Sequence, residues 1–180
     1  VVEGLVNRLL KDDAEAGKNL ERYCVYILPL ANKDGVARGL TRFNALGKDL
    51  NRNWDQPADP ELAPENAALE KWLAGMIEKG QRPDLAFELH NDGNGQLHIS
   101  RPAVPDLDRY LARMARLETL LRQHTWFTEG STKATFRNPG SLGDGWLERF
   151  GTDAVVHEFN CHWIAGLKAY PNVNSSWTDE

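Results

Sequence analysis

The chain has 180 residues, of which 41% are hydrophobic and 26% charged, with a formal net charge of −5. This is ordinary globular composition and excludes a disordered chain. Acidic and basic residues are mixed throughout, so the charge offers no general attraction to nucleic acid or anionic membrane, and no apolar run approaches the roughly 20 residues of a membrane span.

At the start of the chain, Val1, Val2, Leu5, Val6, Leu9 and Leu10 follow helical spacing. No basic start followed by an apolar stretch is present, so no signal peptide is expected; the opening on Val1 without a methionine makes an upstream segment an expectation. Residues 23–28 are β-branched and aromatic between polar flanks and predict a buried strand. A long loop rich in Asn, Gly, Asp and Arg follows over residues 31–60. Pro64 and Glu65 open a helix that carries Leu69, Trp72, Leu73 and Met76 and stops near Gly80. Residues 83–89 predict a second strand, ending on His90 and the turn Asn91-Asp92-Gly93. A helix is predicted over 106–123, with Leu107, Leu111, Met114, Leu117 and Leu121 as its apolar stripe, and a shorter one over 145–150. Residues 153–159 predict the last strand.

Strands alternating with helices predict an α/β fold, a mixed, largely parallel sheet flanked by helices, in one domain over residues 1–180. Ligands of such sheets sit outside the carboxyl ends of the strands. His90 and Glu158 both fall at those ends. Cys24 and Cys161 are the only cysteines and each has apolar neighbours, so both are expected to be free and buried, in a reducing compartment such as the cytoplasm.

The chemistry is concentrated in the long loop, because a compact domain keeps a loop of that length when it has a use for it. It contains Asn32-Lys33-Asp34-Gly35, then Arg42, then Gly47-Lys48-Asp49-Leu50-Asn51-Arg52-Asn53-Trp54. Arg42 and Arg52 are fork donors suited to planar oxyanions, with the Asn51 amide beside them. The plain alternative for these residues is a solvated polar loop held by Asx turns. For His90 it is a structural strand-end histidine, and for Glu158 a strand-end ion pair.

In order and composition these motifs resemble those of the zinc carboxypeptidases, which carry an Asn-Pro-Asp-Gly turn, a later arginine and a Gly-x-Asp-x-Asn-Arg-Asn-aromatic run. Lys33 stands where the family has proline. The resemblance implies a carboxypeptidase-like fold, one Zn²⁺ ion, and a peptide or acyl-amino-acid substrate with a free carboxylate, with no nucleic-acid or membrane partner. Position by position it implies Asn51 and Arg52 as the grip on the substrate carboxylate and Arg42 as the group that polarises the scissile carbonyl. It implies His90 as a metal ligand and Glu158 as the catalytic base. His98 and Asp92 are neighbouring donors that match no family position. The family's His-x-x-Glu, which supplies two further zinc ligands, occurs nowhere in the 180 residues and is expected upstream of Val1. The chain on its own is then expected to hold zinc weakly. The family's mobile tyrosine has no counterpart in Thr135-Phe136-Arg137-Asn138-Pro139-Gly140. Side-chain specificity is expected to depend on the stretch near Ser141 and Asp144. Two other functions share these residues: an N-acyl amino acid deacylase of aspartoacylase type, and a metal-free module that binds carboxylate-ended peptides.

Overall fold

Helices and a small sheet alternate along the chain in a computed structural model that describes residues 2–132, 135–138 and 140–164. The chain divides into two compact units, Val1–Ala45 and Leu46–Glu180. The first contains α1 (Val2–Leu9), α2 (Ala14–Arg22) and α3 (Lys33–Ala37). Asp13 caps α2, its carboxylate accepting from the backbone N–H of Glu15 and Ala16. The predicted strand over 23–28 forms no ladder. Tyr23 has extended dihedrals, but Tyr23, Val25, Tyr26, Ile27 and Leu28 are exposed. β propensity alone does not make a strand, because ladder hydrogen bonds need a partner strand, and the described residues of this unit are otherwise helices and loops.

The second unit holds α4 (Pro64–Glu78), β1 (Leu85–Asp92), β2 (Leu97–His98), α5 (Leu107–His124), α6 (Leu142–Phe150), β3 (Asp153–Asn160) and α7 (Cys161–Ile164). The sheet order is β1-β3-β2; β1 runs parallel to β3 and β2 antiparallel to it. This is the expected mixed sheet, with one difference of consequence. β1 begins later than predicted and continues through Asn91 and Asp92, residues whose turn chemistry is overridden by pairing with Phe159 and Asn160. The helix predicted over 145–150 also starts earlier, at Leu142.

Each face of the sheet is covered by one predicted helix. On one face Ala154 and Ala86 pack with Leu73, Leu69 and Ile77 of α4, joined by Trp54, Leu142 and Trp146. On the other, Val155 and Leu97 pack with Tyr110 and Met114 of α5 and with Phe127. Arg113 of α5 meets the nearly buried Asp153 at the start of β3 through two hydrogen bonds, one of 2.7 Å. On the α5 face, Leu85, Phe87 and Leu89 of β1 remain exposed. Both cysteines are free, but Cys24 is exposed and Cys161 half-buried; apolar sequence neighbours do not bury a residue whose segment lacks a packing partner.

Candidate active site

Strand alternation explains why the chemistry gathers at one rim. Residues two apart on a strand share a face, so Ala86, Glu88, His90 and Asp92 line up on β1. Their register partners on β3 are Ala154, Val156, Glu158 and Asn160. The face is therefore apolar where α4 covers it and polar toward the carboxyl ends. His90 stands directly opposite Glu158. His98 of β2 pairs with Val156, which places it on the same face, one step diagonally from Glu158.

His90 Nε2 lies 2.9 Å from Glu88 Oε1, and His98 Nε2 lies 3.9 Å from Asp92 Oδ2. Burial pushes the Glu158 carboxyl above its ordinary range, and the like charges of Asp92 and Glu88 add to this, while His90 and His98 oppose it. Among the described residues, Glu158 Oε2 is screened from solvent and accepts no hydrogen bond. Glu88 is a member of the rim that sequence reasoning missed. The signal was present as Glu88-x-His90-x-Asp92, a strand period broken when Asp92 is assigned to a turn.

The loop motifs separate into structural and outward-facing residues. Asn32 caps α3 by accepting from Gly35 N at 3.1 Å, and its amide donates to Phe43 O at 3.0 Å. A Cβ on Gly35 would sit 2.5 Å from Phe43 O, so glycine is required for this closure. The motif thus forms a helix turn within the predicted loop and holds the residue after Arg42, which is exposed. In the second run, Gly47 and Asn53 take left-handed dihedrals, and Asp49 Oδ1 accepts from Asn51 N at 3.0 Å. Trp54 is buried, its indole donating to Leu50 O at 2.9 Å and its ring meeting Trp146 edge-on. Asn51 Oδ1 accepts from Leu142 N at 3.1 Å and so caps α6, where Ser141 makes no side-chain cap. Arg52 is the outward member of the run. It lines a cavity of about 260 Å³ together with Lys48, Asn53 and Asn66. His90 and Glu158 are not among the walls of that cavity. The register pairs His90 with Glu158; Asn51, next to Arg52 in sequence, caps α6 and is not among the walls of the Arg52 cavity, and Arg42 belongs to the other compact unit.

Residues 1–91, just over half of the chain, match the zinc carboxypeptidase family. The chain belongs to that family. Over 59 residues it is 41% identical to cytosolic carboxypeptidase 6 of Caenorhabditis elegans, covering 33% of this chain and 13% of that protein. Over 64 residues it is 39% identical to mouse (Mus musculus) cytosolic carboxypeptidase 1, covering 36% of this chain and 5% of that one. The metallo-carboxypeptidase from Burkholderia cenocepacia shares the fold with a TM-score of 0.71 at 24% identity, over 88% of this chain and 42% of its own. The metallo-carboxypeptidase from Pseudomonas aeruginosa, solved with (2-guanidinoethylmercapto)succinic acid, matches with a TM-score of 0.62 at 25% identity, over 88% of this chain and 43% of its own. The chain thus spans under half of these carboxypeptidase structures and a small part of the curated relatives. The rim suits the zinc of this family in donor type, since imidazole nitrogen and carboxylate oxygen are both zinc ligands, and Glu158 Oε2 is a shielded oxygen in need of a partner. No helix among the described residues is long and apolar enough to cross a membrane.

Proposed function

We propose that this chain is the part of a zinc-dependent carboxypeptidase that carries the base and the substrate grip, in a protein acting on the C-terminal residue of peptides. What carries the proposal is the pairing of His90 with Glu158 at the carboxyl ends of two parallel strands, on a face that is polar only there, in a member of a family of zinc carboxypeptidases. Arg52 and the amide of Asn51 bind the substrate's terminal carboxylate. Arg52 opens on a cavity whose walls carry Lys48 as well as Asp59 and Glu70, and the fork of an arginine suits a carboxylate. The succinic acid ligand of the Pseudomonas relative is itself a carboxylate compound. Arg42 donates to the scissile carbonyl as charge develops on its oxygen. Glu158 takes a proton from the attacking water and passes it to the leaving amine, a role helped by burial that keeps its carboxyl basic. His90 is the ligand this chain contributes; zinc bound beside it would polarise the water and the carbonyl. The names of the curated relatives favour a cytosolic location and a peptide over an acyl amino acid.

Substitution in the full-length, zinc-loaded protein tests these roles. Glu158→Gln keeps the shape and removes the base, so kcat should fall by about 10²–10⁴-fold with zinc retained. Arg52→Ala removes an interaction made equally in ground and transition states and should mainly raise KM, whereas Arg42→Ala should depress kcat. Near-normal kcat in Glu158→Gln would make that glutamate structural and end this proposal.

A further inference from the structure

Arg52 stands in a run that no helix or strand supports. Residues 50–63 belong to neither, and Arg52 itself turns back on its neighbour, its Nη1 donating to Asn51 O at 2.6 Å. The direction of its guanidinium therefore follows the backbone around it. We propose that Arg149 and Asn66 are positioning residues that hold this backbone from both sides and so aim Arg52 at the substrate carboxylate, a role that rests on the reading of Arg52 given above.

Backbone carbonyls outside regular structure need donors from elsewhere in the molecule. On the side before Arg52, Leu50 O accepts two hydrogen bonds, from the Trp54 indole at 2.9 Å and from Asn66 Nδ2 at 2.8 Å. On the side after it, Arg149 Nη1 donates to Trp54 O at 3.1 Å and to Gln56 O at 2.8 Å. The same nitrogen meets Glu70 Oε1 at 2.6 Å. Glu70 Oε2 in turn accepts from Ala58 N at 3.2 Å, which extends the hold to residue 58. Asn66 and Glu70 share one face of α4, and Arg149 lies near the end of α6. Both helices are anchored in the core that contains Leu73, Leu142 and Trp146, so the run is fixed to rigid elements. The donors are shielded: Asn66 is buried, and the side chains of Arg149 and Glu70 are 20% and 13% exposed. Hydrogen bonds from a charged group are the strong ones, and shielding from water strengthens them further. Between the two holds Asn53 takes φ +66°, a left-handed conformation that persists outside glycine when the surrounding structure fixes its flanks. Asn66 and Glu70 belong to the walls of the cavity on which Arg52 opens, and Arg149 does not. Arg149 therefore acts through the backbone of the run rather than on a ligand in the cavity.

The test uses the full-length, zinc-loaded protein with a peptide substrate, and amide hydrogen exchange over residues 50–58 as a readout independent of turnover. Arg149→Met and Asn66→Ala should each speed exchange there by about tenfold or more, while β1 and β3 keep their protection. Each should raise KM by about tenfold and leave kcat within about twofold, because the carboxylate contact is made equally in ground and transition states. In an Arg52→Ala background, Arg149→Met should raise KM no further, since the guanidinium it aims is gone. The hydrogen bonds of Arg149 all come from one nitrogen, and a lysine ammonium also carries three donors on one nitrogen. Arg149→Lys should therefore recover most of the original KM. Should Arg149→Met fail to fold, Asn66→Ala provides the same measurements from the other side of Arg52. Unchanged exchange in both variants, a loss in kcat rather than KM, or KM effects that simply add to that of Arg52→Ala overturns the proposal. An unchanged KM in Arg52→Ala itself overturns the reading of Arg52 as the substrate grip and the proposal with it; faster exchange over residues 50–58 then shows that the hold exists and that the grip is what failed.

Discussion

Glu148 and Glu158 lie close in sequence and are driven in opposite directions by their surroundings. Glu158 is pushed up by burial among carboxylates. Glu148 is held below its ordinary 4.5, first by hydrogen bonds from Arg137 and also by one from Ala103 N at 2.7 Å. A carboxyl lowered on folding contributes stability that is fully present above the unfolded value and is lost as pH falls through the folded one. Stability should therefore decline as acidification passes below the ordinary 4.5, and Glu148→Gln should decline less steeply, as read by urea denaturation at each pH. Equal slopes in both proteins would show that this ion pair is without thermodynamic weight. The same pair ties Arg137, on the segment before α6, to α6 itself, so it bears on the stretch expected to govern side-chain specificity.

Two glycines show what a helix gains and loses by lacking a side chain. Gly75 lies in α4 with nothing within 4 Å of an added Cβ, whereas at Gly145 in α6 a Cβ would sit 2.5 Å from Trp54 Cβ and 2.6 Å from Trp54 O. Gly75→Ala should stabilise by about 0.5–1 kcal/mol, since glycine costs that much in a helix interior. Gly145→Ala gains the same propensity but must displace the backbone of Trp54, and should destabilise by about 1–3 kcal/mol. Thermal melts of both variants decide this, and a rise in Tm for Gly145→Ala would mean that α6 is not held against Trp54. Arg52 lies two residues before that tryptophan, so the close packing of α6 also sets the position of the proposed substrate grip. Leu73, fully buried between α4 and the sheet, provides the reference for an ordinary core loss, about 2–5 kcal/mol on truncation to alanine.

For the molecule as a whole, the chain contains the proposed base, the arginines proposed to meet substrate and His90, while the His-x-x-Glu of its family is absent from its 180 residues. Given zinc, this polypeptide alone should release little C-terminal residue from a peptide, measured by mass spectrometry of the products. Turnover near 1 s⁻¹, within the ordinary enzyme range, would show that donors within the chain suffice for catalysis. The fold itself is independent of that outcome, since 88% of the chain superposes on a carboxypeptidase structure.

Sequence by itself did not determine α2, α3 or α7, but it did determine α1, α4 and α5, the loop motifs, and the place of His90 and Glu158 toward the carboxyl ends of two strands. These depend on local rules: a 3.6-residue apolar period for α4 and α5, and a capping Asn32 beside a Gly35 that has no room for a side chain. Tertiary structure decided what pairs with what. Register between β1 and β3 joins segments far apart in sequence, and it extended β1 through Asp92, which a local turn signal had marked as its end. That extension put Asp92 on the same face as Glu158 and His98. Residues 23–28 are the converse case: their strand composition was legible, but a strand exists only through hydrogen bonds to another, and no property of the segment alone supplies that partner.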